Sequence, residues 1–398
     1  MADYKYVDAD NHFYEAPDAF SRHGTKRVKN FVQWFDQGKR KRLLLGGEFA
    51  PGTGNPTFNP VAKPGAFHES LKALERGEEP EGPRYGSLVP LDRAFMYRDE
   101  RIEAMKGQNL ERTFIFPTIG YSIEHMLVDD WDMLYDLFHA FNAWMNEDWG
   151  FNYQDTIHAP VYVPMADISR AVDELQWGIE NGARIWTTQP GPWYGRSPAD
   201  SYFDPIWELA NENNLGLVLH AYGGIPAAYK DFYTKEWAKP PVTNMGHSMM
   251  LSGAILPYHR PVMDSMMAMT LGGLFNRFPN VKAASIEVGA AWVEYCLHEL
   301  DHAGSNLVER RVTTFDGELV GRPSDVFRQH CYVAPFPEED IARLAGAIGS
   351  NRVLFGSDWP HPEGTANPAD FREFVTPLPE DEQRLVMRDN ALEFAGLG

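Results

Sequence analysis

Four stretches of this chain end an apolar run on a carboxylate or an imidazole. In Val7-Asp-Ala-Asp-Asn-His12, residues two apart on an extended backbone share a face, so Asp10 and His12 stand side by side with Asp8 on the same face. That is the spacing of two metal ligands. Leu217-Val-Leu-His220 ends on an imidazole, Val281-Lys-Ala-Ala-Ser-Ile286 runs into Glu287, and Arg352-Val-Leu-Phe-Gly-Ser-Asp358 delivers a carboxylate just before Trp-Pro-His361. Each has a plainer reading alone: Asp358 would cap the next turn, Glu287 would be an ordinary strand-end acid, and His361 would be a solvated loop histidine. Taken together, carboxylates and imidazoles without a thiolate suit one divalent ion, and zinc, manganese and iron all fit that donor set. Such an ion lowers the pKa of bound water from about 15.7 toward about 7 and makes hydroxide available at neutral pH.

The groups need a frame that brings chain-distant strand ends together. Apolar runs at 5–12, 113–117, 161–165, 183–187, 217–220, 281–286, 330–334 and 352–355 read as strands. Helical patterns fall between them, at 99–107, 132–149, 167–181, 204–215, 261–278, 290–307 and 338–348, and one more closes the chain at 381–394. Eight strands alternating with helices predict an α/β fold, the (β/α)8 barrel, in which functional groups gather at the C-terminal ends of the strands. Asp10, His12, His220, Glu287 and Asp358 all fall there.

One domain is expected over 1–398, with long loop insertions over the C-terminal face. The segment 13–93 is rich in Gly and Pro and shows little periodicity; rooted at a strand end, it is expected to cover the site, the other reading being a disordered linker. A second crossover, 221–260, lies on the same face. Aromatic pairs in these loops, Trp193-Tyr194 and Phe232-Tyr233 with Trp237, suggest a cyclic or aromatic ligand. Met263, Met266, Met267 and Met269 read as core filler, with a flexible substrate wall as the alternative.

Composition removes several classes of function. A net charge of -20 spread along 398 residues argues against nucleic acid or an anionic membrane as partner. The two cysteines, Cys296 and Cys331, are too few for a disulfide framework and are assigned to the core. No stretch has eighteen uncharged apolar residues in a row, and the start lacks a signal-like apolar region, so a cytoplasmic location is expected. The expected partners are a small-molecule substrate and a second copy of the chain in a homo-oligomer, a dimer.

Val7-Asp-Ala-Asp-Asn-His-Phe-Tyr-Glu-Ala-Pro17, the strand tip His220, the segment Met267 to Lys282 leading to Glu287-Val-Gly, Phe355-Gly-Ser-Asp-Trp-Pro-His-Pro-Glu-Gly364 and the closing Asn390-Ala-Leu-Glu-Phe-Ala-Gly-Leu397 together resemble the amidohydrolase-related proteins. The likeness is to the branch that includes aminocarboxymuconate-semialdehyde decarboxylase and the resorcylate-type decarboxylases. It implies that Asp10 and His12 occupy the first-strand ligand positions, His220 the fifth-strand position and Asp358 the eighth-strand position. Two features depart from that pattern. The first pair is Asp-x-His where amidohydrolases at large carry His-x-His, and Glu287 stands where the semialdehyde decarboxylase has a histidine. Glu287 is thus either a general base or a further ligand, with Asp358 orienting the water and His361 lining the pocket.

The expected activity is hydrolysis of a small cyclic or aromatic carbonyl compound by metal-activated water, because a second carboxylate beside the water suits a base. The alternative is metal-dependent decarboxylation of an aromatic or unsaturated acid. A barrel serving only as a binding scaffold is a third reading, which the full ligand set disfavours.

Overall fold

The computed structural model describes residues 4–37, 40–50, 59–79, 87–221, 229, 259–310 and 319–398. A parallel barrel is built from β1 (Tyr6–Phe13), β2 (Leu110–Pro117), β3 in two short pieces (Ile157–His158 and Val161–Tyr162), β4 (Ile185–Thr187), β5 (Gly216–His220), β6 (Lys282–Ile286) and β7 (Cys331–Val333). All neighbouring pairs in the two resulting sheets are parallel. An eighth stave, 353–359, closes the ring without forming a regular ladder. Leu354 N donates to Val333 O at 2.9 Å, Ala9 N to Phe355 O at 2.8 Å and His12 N to Trp359 O at 2.8 Å. This is the barrel order expected from the sequence. The strands are buried on both faces, which is why they read as runs of Val, Ile, Leu and Ala without strict alternation.

The outer helices are α1 (Arg98–Gly107), α2 (Trp131–Asp148), α3 (Ile168–Glu180), α4 (Asp204–Glu212), α5 (His259–Leu271), α6 (Val293–Arg310), α7 (Pro323–His330) and α8 (Ile341–Ile348). Their starts are set by short acids: Asp130 accepts from Met133 N at the head of α2, and Asp167 accepts from Ser169 N and Arg170 N at the head of α3. Met263, Met266 and Met269 of α5 are buried in the core, as are both free cysteines.

Several elements differ from the sequence expectation for local reasons. The pattern read as one helix over 261–278 breaks at Gly273, whose φ of 69° ends α5's direction, and resumes as Leu274–Arg277. Helix α7 precedes β7 where only a strand is predicted; it has a proline in its first turn and buries just Val326 and Phe327 among its large apolar residues, too few to mark a period. The described part of the segment 13–93 is more ordered than its composition implies. It holds a helix (Lys26–Phe31), an antiparallel sheet of Val32–Gln37, Arg40–Leu45 and Glu48–Phe49, and a helix (Ala66–Glu75). Val32, Leu43 and Leu45 turn inward, while the Arg40-Lys-Arg42 run hides the strand pattern.

Candidate active site

At the C-terminal mouth of the barrel, Asp10 and His12 from β1 meet His220 from the tip of β5. Asp10 Oδ1 lies 3.3 Å from His12 Nε2 and 3.4 Å from His220 Nε2, and all three residues are buried. Each imidazole turns its other nitrogen to a backbone carbonyl, His12 Nδ1 to Pro117 O at 3.3 Å and His220 Nδ1 to Ala221 O at 2.7 Å. With Nδ1 donating, both Nε2 atoms present lone pairs to one point, the arrangement that orients metal-binding histidines. Asp10 Oδ1, His12 Nε2 and His220 Nε2 are buried without a hydrogen-bond partner. Three convergent acceptors left unpaired in a buried site are costly unless a cation or protons join them. The donor set of one carboxylate and two imidazoles, with ligand atoms within 4.8 Å of one another, fits a divalent ion. Burial raises the Asp10 carboxyl, but the facing His12 and His220 outweigh it and hold the group below the usual carboxylate range.

Asp358 and Glu287 flank this point. Asp358 Oδ1 is 3.3 Å from His12 Nε2, and Glu287 Oε2 is 3.3 Å from His220 Nε2 and 3.6 Å from His12 Nε2. Both residues have left-handed backbones, with φ of 54° at Asp358 and 59° at Glu287. Such conformations cost about 1–3 kcal/mol each and persist where surrounding structure imposes them. His361, expected to line the pocket, is buried there; its Nδ1 sits 2.8 Å from Asp358 Oδ1 and its Nε2 3.0 Å from Thr118 Oγ1. Thr118 donates its hydroxyl to Phe13 O at 2.8 Å, so toward His361 it accepts, and Nε2 carries a proton. The short contact between Nδ1 and Asp358 then holds a second proton. Burial, followed by Glu287, pushes the Asp358 carboxyl well above the usual range, while burial, followed by the facing His12, pushes the His361 imidazole well below its own. Both shifts favour the neutral pair, with the proton on Asp358.

The residues that hold this geometry were largely illegible in the sequence. Asp8 does not join the unpaired group: it accepts from Ser357 N at 3.0 Å, Ser357 Oγ at 2.6 Å, Asn11 Nδ2 at 2.9 Å and Asp10 N at 3.1 Å, clasping β1 to the eighth stave. A bulge between Asp8 and Asn11 breaks the two-residue alternation that would put Asp8 beside Asp10. Arg101 of α1 is wholly buried and donates to His12 O at 2.6 Å, Ala94 O at 2.8 Å and the Asn11 side chain, with Trp359 stacked 4.6 Å away. Its only sequence signal is an arginine on the face of α1 next to apolar Ile102 and Met105.

Gly356 lets the eighth stave pass Asp10, because a Cβ there would lie 2.7 Å from Asp10 Cβ. Gly356→Ala is therefore expected to destabilise the fold by about 1–3 kcal/mol, the usual cost of overpacking, read as a lower urea midpoint with an unchanged slope. A variant as stable as the parent would show that β1 and the eighth stave can part without cost.

From the 13–93 segment, Phe67 N donates to Pro362 O at 2.8 Å and Gly65 N to His361 O at 3.3 Å, so its second helix begins on the loop that carries His361. Beside the mouth, a recess of about 160 Å³ is lined by Glu124, Met165, Thr188 and Tyr194 among others, which places the predicted aromatic pair Trp193-Tyr194 at a cavity wall. Phe232, Tyr233 and Trp237 lie outside the described residues.

Residues 7–397 match the amidohydrolase family. The chain belongs to that family. An amidohydrolase from Mycobacterium avium subsp. paratuberculosis K-10 is 33% identical to this amidohydrolase over 100% of both chains, with a TM-score of 0.87. A gamma-resorcylate decarboxylase from Polaromonas sp. is 21% identical over 237 residues, which are 56% of this chain and 65% of that relative, so the match spans less than two thirds of its length. A dihydroxybenzoic acid decarboxylase from Polaromonas sp. JS666, solved with bound manganese and the inhibitor 2-nitroresorcinol, shares the fold at a TM-score of 0.61 and 14% identity, covering 99% of this chain and 97% of its own. This amidohydrolase is accordingly an enzyme, with a His/Asp group suited to a metal at its barrel mouth. No helix among the described residues is long and apolar enough to cross a membrane.

Proposed function

We propose that this amidohydrolase is a metal-dependent carboxy-lyase that removes CO2 from a hydroxylated aromatic acid. The observation that carries the proposal is the contact of Asp358 with His361, itself held by Thr118, beside the unpaired Asp10–His12–His220 group. Hydrolysis needs a base that takes a proton from water, whereas decarboxylation needs an acid that gives one to carbon. A buried carboxyl kept neutral by its neighbours is suited to giving. Aromatic-acid decarboxylases among the relatives support the same choice.

Asp10, His12 and His220 would hold the cation, with Asp358 beside them; manganese is favoured because a decarboxylase of this fold carries it. When bound, the cation supplies Lewis-acid charge that fixes and polarises the carboxylate and adjacent hydroxyl of the acid. The Asp358–His361 pair gives its proton to the ring carbon bearing the carboxylate. As the ring regains aromaticity, the bond to that carboxylate breaks, CO2 leaves, its bonding electrons stay with the ring, and the pair recovers a proton from solvent. Glu287, partly exposed at the mouth, accepts a hydrogen bond from a ring hydroxyl and so positions the substrate. The start of the helix Ala66–Glu75, docked on the 361–362 backbone, helps keep water from this exchange.

The test is to give the manganese-loaded enzyme a panel of ortho-hydroxylated benzoates alongside esters, lactones and amides, and to trap CO2. Release of CO2 with the matching phenol is expected; turnover of an ester or lactone without CO2 would return the hydrolase reading. Glu287→Gln separates the two chemistries as well. As a positioning group its loss should raise KM about tenfold with little change in kcat, since uniform binding is lost. A fall in kcat of about 10²–10⁴ with metal retained would instead make Glu287 the base of a hydrolase.

A further inference from the structure

The recess beside the mouth has chemistry that the metal-centred reading does not use. None of Asp10, His12, His220, Glu287 or Asp358 lines it. Between it and the metal-suited group stand two stacked tyrosines: Tyr121 lies edge-on to His220 at 5.8 Å and stacks on Tyr162 at 5.2 Å, and the Tyr162 hydroxyl donates to Glu124 in the recess wall. Glu124 is 1% exposed and also accepts from the Tyr194 hydroxyl at 2.9 Å; among the described residues it has no cationic partner. Burial raises its carboxyl to about 7 against the pull of the two tyrosines. Also in the recess wall, Thr188 at the end of β4 is 1% exposed, and its Oγ1 has no hydrogen-bond partner. Val128, Met165 and Pro192 supply apolar wall.

We infer that this recess is a second subsite that takes a single hydroxylated aromatic ring, whose hydroxyl donates to Glu124 and accepts from Thr188. Size sets the ring count: about 160 Å³ is close to the cavity of about 150 Å³ that admits one benzene. The polar pair sets the substituent. A carboxylate already shared by two donors retains lone pairs for one more, and a buried hydroxyl without a partner is costly until something accepts from it. A neutral hydroxyl answers both needs at once. An ammonium would satisfy Glu124 alone, and Trp193 would offer it little open face, because Trp193 is stacked on Trp207 at 5.6 Å and met edge-on by Phe203 at 5.0 Å. The subsite stands on its own geometry; only its use by the far end of a longer substrate rests on the carboxy-lyase reading.

The experiment uses the full-length, metal-loaded enzyme and ligands that have no carboxylate, so that binding in the recess is read without turnover. Crystals soaked with 4-bromophenol should show the bromine's anomalous signal in the recess. By calorimetry phenol should bind about tenfold more tightly than anisole, which has the same ring but no donor. Glu124→Gln should reduce that preference to about twofold by weakening phenol and leaving anisole unchanged, and Thr188→Val, a near-isosteric change, should move it the same way. Equal affinity for phenol and anisole, or bromine located only beside Asp10, His12 and His220, would overturn the subsite. Failure to release CO2 from any acid would sink the carboxy-lyase reading and leave these results standing.

Discussion

Asp358→Asn is expected to keep its metal and lose decarboxylation by about 10²–10⁴-fold, the usual contribution of a positioned acid or base. The amide matches the carboxyl in shape and can still meet His361 across the 2.8 Å contact, but it has no proton to transfer to carbon. His361→Gln should have a smaller effect, because it removes the partner that steadies the proton and leaves the proton's own carrier in place. Thr118→Val should be smaller again: without the hydroxyl, nothing fixes the proton on Nε2, and His361 can turn an N–H toward Asp358 and favour its ionised form. This graded series of Asn, then Gln, then Val distinguishes a proton relay from a plain ligand role. Were Asp358 chiefly a ligand, the Asn variant would lose metal along with activity, added manganese would restore part of the rate, and the Thr118 variant would be silent. Elemental analysis with kcat and KM on the three variants decides between these outcomes.

The sequence made the barrel legible because its signal is redundant. Eight apolar runs, each with a helical pattern beside it, tolerate errors at individual boundaries, and a missed α7 or a break at Gly273 changes no strand's place. Candidate site residues were legible for a narrower reason: a charged or imidazole side chain at the tip of an apolar strand stands out against its own run. Their supports were not. Arg101 and Thr118 act from a helix and a loop through contacts across about 90 and 240 residues of chain, and no local pattern marks an arginine that will be buried beneath His12 O. The strained backbones of Glu287 and Asp358 were equally invisible, since nothing in Ile286-Glu287 or Ser357-Asp358 announces a positive φ. Alternation along β1 even misdirected, because the bulge after Asp8 turns that carboxylate from a candidate ligand into a clasp for Ser357.

Asp10→Asn should have unequal effects on the metal-free and the metal-loaded enzyme, which makes it the sharpest test of the metal centre. Without metal, the buried Asp10 carboxylate faces two imidazoles that outweigh its burial and favour its ionised form, so it contributes to the stability of the fold. Replacing it by a neutral amide of the same shape removes that attraction, so in the presence of a chelator the variant should be modestly less stable than the parent. With metal the loss is larger. Saturation at about 100 times Kd contributes about 2.7 kcal/mol to the parent, and the variant should forfeit most of this, because losing a direct anionic ligand costs more than the 10–100-fold that loss of an outer partner does. His220→Ala should likewise bring metal content down from about one ion per chain, but it also opens a buried cavity and weakens both forms together. Urea midpoints for parent and Asp10→Asn, each with chelator and with manganese, therefore test charge at the site separately from packing. If the variant is destabilised equally in both conditions, Asp10 is holding the fold and the cation sits elsewhere.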